Sequence, residues 1–263
     1  MTTLLLASSL ALVLASPPAH AEAARTITLS GEPLTQKLVS DLAFFYRRET
    51  PRPPTFSIVG GGTAGGMADA ARGIVDAGLV SRDLTPQDPA GLRFTPLALS
   101  AVCLVTNTEN PLSNLTRAQV QDIVSGRTTL WNQLPGETSA AAIVPVTFDL
   151  ASGARTVFES VFLDLTTQAV WQPRTFTASS QMHDFVAATP AALGYIDIAY
   201  TRGLHVVPYE GTACSTAPPY AARRTLGLVT RGRPKGEVKR FLAWIKRDPT
   251  AKRVIRTRYV VPS

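Results

Sequence analysis

Apolar and polar positions along this chain change period repeatedly between two and about 3.6, the signature of strands alternating with amphipathic helices. Arg25–Gly31 (RTITLSG) alternates as a short strand ending in a turn, and Leu34, Leu38, Leu42 and Phe45 then recur at helical spacing until Pro51, Pro53 and Pro54 close the element. TFSIV is a second strand. A glycine-rich loop follows, then a short helix through Met67 and Ala71 that Gly73 ends, and VDAGLVS is a third strand. Leu97–Asn107 is a long β-rich run. Thr116 as N-cap, Gln119 at N3, Leu115 and Val120 at the staple positions and Gly126 as C′ mark a helix. AIVPVTFD, LGYIDIAY and LHVVPY read as further strands, and Val157, Phe158, Val161 and Phe162 form an apolar helical stripe. Val238, Phe241, Leu242 and Ile245 define the last strong helix. The alternation predicts an α/β fold on a mostly parallel, helix-covered sheet.

One stretch tests that pattern. Gly60, Gly62 and Gly65 spell G-x-G-x-x-G between an apolar strand and an Ala-rich helix, with Asp83 about 20 residues on, as in a dinucleotide-binding fingerprint. The N-terminus argues against that chemistry. TLLLASSLALVLA is an apolar run of secretory length followed by a small-residue site at Ala19–Ala21, which reads as a signal peptide over residues 1–21. No Cys follows the run to carry a lipid anchor, so the product is expected to be exported and soluble, away from the cytosolic nicotinamide pool. In an oxidising compartment Cys103 and Cys214 read either as one disulfide or as two buried thiols.

The formal net charge of +7 is unevenly spread: residues 220–263 carry 13 Lys and Arg against Glu237 and Asp248, a net of +11, leaving −4 for the rest. A solvated basic face, a membrane surface or an acidic partner all fit this segment. Aromatics are not interleaved with the charges as nucleic-acid stacking would require, so no nucleic-acid partner is expected.

Catalytic patterns are weak. There is no G-x-S-x-G elbow, no H-E-x-x-H and no P-loop lysine, and neither His183 nor His205 is spaced as a ligand or base. His183 reads as an exposed helix residue. No cofactor or metal is implied. What recurs instead is a small, polar turn leading into a helix, at Ser30–Gly31, Gly60–Gly66, near Ser81–Arg82 and at Ser152–Gly153. Free N–H groups at the positive end of a helix dipole hold bare anions. Such turns also serve as ordinary connections, which need Gly and Ser anyway.

Seven segments, in order, resemble the phosphate-binding extracytoplasmic proteins of ABC-type phosphate transporters, within the periplasmic-binding-protein superfamily. They are ITLSG, GGGTAGG, DAGLVSRDLTPQD, NPLSNLTRAQVQDIVSGRTTLWNQL, ASGARTVFESVF, AALGYIDIAY and LGLVTRGRPKGEVKRFLAWI, covering nearly the whole mature chain. The resemblance implies a two-lobed periplasmic-binding-protein-like fold of type II with two hinge crossings, through Leu99–Thr106 and His205–Tyr209. It puts residues 25–105 and 209–263 in lobe I and 106–208 in lobe II. Both cysteines then fall near the crossings on the lobe I side. The implied activity is capture of inorganic phosphate or a similar small oxyanion by a monomer, for an ABC-type permease of the inner membrane, without catalysis and in the periplasm or outside the cell.

Residue by residue, the resemblance implies ligand groups at Ser81, Arg82, Ser152, Gly153 and Arg155, with Gly31 and Thr63 as further contributors. The chain also departs from the family. Glu32, Pro33 and Leu34 follow Gly31 where the family offers hydroxyls, and Pro33 has no N–H to give. A Glu32 carboxylate facing the cleft would repel an anion, and one turned outward would leave only backbone donors. Ala154 replaces a threonine, and Phe148 stands where many members carry an arginine. These departures fit a second reading: a degenerate scaffold that binds another anion or serves as a secreted interaction or sensing module. A secreted hydrolase is the rival from another class.

Overall fold

The computed structural model describes residues 25–163 and 173–262, so the expected leader at 1–21 lies outside the described residues. In chain order the elements are β1 (Thr26–Gly31), α1 (Pro33–Glu49), β2 (Thr55–Val59), α2 (Gly62–Arg72), β3 (Ala77–Val80), β4 (Leu92–Thr106), α3 (Arg117–Val124) and β5 (Val144–Phe148). Then come α4 (Gly153–Val161), β6 (Arg174–Phe176), α5 (Ser179–Ala188), β7 (Ala192–Asp197), β8 (His205–Val207), β9 (Arg223–Arg231), α6 (Gly236–Arg247) and α7 (Pro249–Arg256).

Local chemistry accounts for most of the boundaries. Pro33 opens α1 at a position where its missing N–H costs nothing. Gly73 ends α2 with φ +71° and returns its N–H to the last turn. Thr116 and Gln119 form the reciprocal capping box on α3, and Leu115 and Val120 are both buried beneath it.

The strands lie in the order β2-β1-β3-β9-β4-β7-β5-β6, with β8 also on β4. β1–β2, β1–β3, β5–β6 and β5–β7 pair parallel, whereas β3–β9, β4–β9, β4–β7 and β4–β8 pair antiparallel. The sheet is therefore mixed, not mostly parallel. The reason is β4, which runs on for 15 residues and joins two packing units. Its first ten residues pair with β9, and Val102–Thr106 pair with β7.

Two cores result. One buries Leu34, Leu38, Leu42 and Tyr46 of α1 with Phe241 and Ile245 of α6 and Ile255 of α7 against β1, β3 and β9. The other packs α3, α4 and α5 on the far half of the sheet around Trp131, Phe162 and Tyr195. The handover falls between Ala98 and Ala101 on β4 and between Ala222 and Leu226 on the return, and the Val102 N–H donates to the Ala222 carbonyl at 2.8 Å. Val102–Val105 and Tyr209, Tyr220 and Ala222 thus pack with the second core, not with the first as expected. The return crossing accordingly comes after Tyr220 and not at His205–Tyr209. β7 stops at Asp197, and Ile198–Tyr200 form a 3-10 turn instead of prolonging the strand.

Cys103 and Cys214 are joined as a disulfide across 111 residues, with Cα atoms 5.5 Å apart. Both sulfurs belong to the second core, one on buried β4 and one packed on its edge, not to the first-lobe side. No helix among the described residues is long and apolar enough to cross a membrane.

Candidate functional site

Three of the four polar turns meet where the two cores face each other, and two of these open helices. From the first core come Thr63, in the first turn of α2, and Ser81, just after β3; both are buried. The Thr63 hydroxyl lies 3.3 Å from the Ser81 hydroxyl and accepts the Ser81 N–H at 3.2 Å. From the second core comes the start of α4. Ser152 is its N-cap, accepting the Arg155 N–H at 3.4 Å, and Gly153 is its first residue.

The sequence places this start firmly. Phe158 of α4 stacks on Tyr195 with centroids 3.9 Å apart, and Phe162 meets Tyr209 edge-on at 4.5 Å. The Tyr195 hydroxyl in turn bonds Thr147 at 2.7 Å and the Phe148 N–H at 3.2 Å, and burial pushes it up to about 12. Gly153 is needed because the turns approach so closely. A Cβ there would sit 2.6 Å from Thr63 Oγ1 and closer still to Ser81 Oγ. Gly62, at φ +65°, has the same role on the facing loop, where a Cβ would lie 2.7 Å from that of Ala151. The α2 N-terminus reaches across as well, since the Ala64 N–H donates to the Ala151 carbonyl at 3.4 Å. The Gly60–Gly66 loop is therefore an interlobe contact, and its strand–loop–helix frame presses backbone on backbone.

Beneath these groups lies an ion pair that sequence reasoning missed. Arg224, near the start of β9, and Asp197, at the end of β7, have side chains 1% and 0% exposed. Arg224 Nη2 donates to Asp197 Oδ2 at 2.7 Å, and Nη1 donates to Ser81 Oγ at 3.2 Å. The Ser100 hydroxyl also donates to Asp197 Oδ2, and the Ala199 N–H donates to Oδ1 at 2.9 Å. Arg224 Nε is buried and has no partner among the described residues.

Glu32 completes the electrostatics. It is buried, and its Oε2 accepts the Thr35 N–H at 2.9 Å, so the carboxylate itself caps α1. Of the two orientations weighed from the sequence it takes the inward one, and the donor to its carboxylate belongs to its own helix. Burial raises its pKa most; the Arg224 charge and the Thr35 and Leu34 N–H groups pull it down, and the Asp197 charge pushes it up. The net shift is upward. A carboxyl whose folded pKa lies above its unfolded value favours folding below the unfolded pKa, and that contribution is lost as pH rises through the folded pKa. Glu32→Gln keeps an acceptor for Thr35 and removes the buried charge. It is expected to raise stability at pH 8 relative to the parent, with the gain vanishing near pH 4. Urea unfolding at both pH values checks this, and a variant less stable at pH 8 would contradict it.

The remaining expected ligand groups have partners of their own, although Arg82 Nε, like Arg224 Nε, is buried without one among the described residues. Arg82 grips Asp88 with both Nη atoms at 2.7 Å, and this pairing holds the Asp88 carboxyl below its usual range. Ser81–Arg82 lead into turns and β4, not into a helix. Arg155 folds back, donating from Nε to Glu159 at 2.7 Å and from Nη1 to the Phe148 carbonyl at 3.0 Å. The Phe148 ring is buried edge-on to Tyr195. Gly31 ends β1 and gives its carbonyl to Gln36 at 2.8 Å. The structure thus brings Thr63, Ser81, Ser152 and Gly153 together, and adds Arg224. His183 is half-buried; its Nδ1 lies 2.9 Å from Asp184 and Nε2 3.0 Å from the Arg202 carbonyl.

Two α/β units that share β4 and close polar turns on each other across a cleft have the architecture of a two-lobed binding-protein fold. The chain belongs to the PBP superfamily, whose domain model matches residues 16–248. It is 22% identical to the phosphate-binding protein PstS of Bacillus subtilis strain 168 over 92% of this chain and 82% of that protein. It is 30% identical to phosphate-binding protein PstS 2 of Streptococcus pneumoniae serotype 4, over 41% of this chain and only 37% of that protein's length. A substrate-binding protein assigned to a phosphate ABC transporter of Clostridium perfringens, solved with bound phosphate, superposes with a TM-score of 0.78. That likeness covers 91% of this chain and 100% of that one at 23% identity, and so shows the fold.

Proposed function

We propose that the protein captures a small oxyanion, phosphate first among them, in the cleft between its lobes and presents it to an ABC-type permease without catalysing a reaction. The carrying observation is the convergence of the Thr63 and Ser81 hydroxyls and the α4 N-terminus at Ser152–Gly153, with the Arg224 guanidinium bonded through Nη1 to the Ser81 hydroxyl. Hydroxyls, free helix N–H groups and a guanidinium are the donors an oxyanion takes. The phosphate-binding proteins among the relatives support the same ligand class. The chain acts as an exported monomer whose leader over 1–21 is removed. The Cys103–Cys214 bridge suits that oxidising compartment.

Ligand entry requires α4 to withdraw from Thr63 and Ser81, a hinge motion at the crossing strands. Isothermal titration with phosphate, sulfate and small carboxylates is the direct test. Saturable phosphate binding is expected, and none at millimolar phosphate would sink the reading. Gly153→Ala, whose methyl enters the contact between the turns, is expected to weaken binding at least tenfold while leaving each lobe folded.

One observation favours weaker binding or a different anion. The α1 N-terminus, an anion loop in the resemblance, is already filled by the Glu32 carboxylate. A titration in which a carboxylate ligand outcompetes phosphate would select that second reading.

A further inference from the structure

Arg224 apart, the basic C-terminal segment supplies no group to the site described above, and its helices give it one face. α6 and α7 turn Val238, Phe241, Leu242, Ile245, Ala251 and Ile255 into the first core. The opposite sides carry Lys239, Lys246, Arg247, Arg253, Arg256 and Arg258, all exposed. None of these six makes an ion pair or side-chain hydrogen bond among the described residues.

The acids that would offset them are committed. Glu237 pairs with Arg25 and Arg240, Asp248 caps α7 through the Thr250 N–H at 2.7 Å, and Glu49 accepts from Trp244 Nε1 at 3.1 Å. α1 packs against both helices, and its C-terminal turn adds exposed Arg47 and Arg48 to the same side. Arg48 lies 5.4 Å above the ring of Phe44, itself 55% exposed.

We propose that this face docks the protein on a bilayer containing anionic phospholipid. Long basic side chains, one of them stacked on an exposed aromatic, are what an anionic interface attracts, with each cation near the surface strengthening partition roughly fivefold. An acidic protein fits less well, because these charges are spread over the outer sides of two helices and the end of a third.

The test is co-flotation of the protein as isolated from cells, its N-terminus fixed by mass, with two kinds of vesicle. One is phosphatidylcholine alone; the other is phosphatidylcholine with one-third phosphatidylglycerol. Binding to the anionic vesicles only, lost in high salt, is expected. Arg253→Glu/Arg256→Glu should reduce it at least tenfold with an unchanged phosphate titration and melting temperature. Arg127→Glu/Arg202→Glu, the same charge change on the second lobe, should leave it within twofold of the parent. Equal loss in both variants would overturn the assignment to this face. So would equal binding to neutral vesicles, or no vesicle binding at all, which would turn the search to an acidic protein.

Discussion

Arg224→Met is expected to lower the unfolding free energy by about 3–5 kcal/mol, the usual cost of stranding one partner of a buried ion pair. Asp197 is fully buried, and Arg224 carries the one cationic group bonded to it among the described residues. The Ser100 hydroxyl and the Ala199 N–H would then face a carboxylate with nothing to balance its charge. Arg224→Met/Asp197→Asn removes both charges and keeps an acceptor for Ala199. It is expected to regain most of the loss while still failing to bind an anion. Urea unfolding of both variants, read beside a phosphate titration, separates the structural role of the pair from the proposed ligand role of Arg224. A single variant that loses less than about 1 kcal/mol would show that the pair is dispensable.

The second large effect belongs to the disulfide. Cys103→Ala/Cys214→Ala should cost about 2–4 kcal/mol, because the bridge closes a 111-residue loop that the unfolded chain would otherwise explore freely. The loss should appear as a lower urea midpoint, and reductant should reproduce it in the parent protein. Because both sulfurs sit in the second core, α3–α5 and their strands should melt first in the variant, which amide exchange resolves. Equal midpoints for parent and variant would rule out a stabilising role.

What could be read from the sequence was the local chemistry. The α3 capping box, the Gly73 stop and the α6 stripe each rest on residues a few positions apart, and each stands as expected. Non-local geometry was not legible. Arg224 bonds Ser81 across 143 positions and Asp197 across 27, and no spacing rule joins such residues. The resemblance implies Arg82 as a ligand group, yet Asp88, six residues on, takes both Nη atoms of its guanidinium. Glu32 carries a usable local signal, an acceptor three residues before Thr35 with proline at N1, which is that of an N-cap. The parallel sheet was an extrapolation from the first β-α-β units. Strand direction at β4 and β9 depends on where the chain crosses between lobes, and that crossing has no local signature.

The bridge has one more consequence. Every peptide bond from Cys103 to Cys214 lies inside a covalent ring, and that ring holds nearly all of the second lobe. An extracellular protease that nicks a loop there produces two chain ends but still one molecule. The severed pieces stay tethered at the neck where the lobe joins its partner, and the cleft keeps both of its walls. A cut elsewhere in the chain has no such insurance.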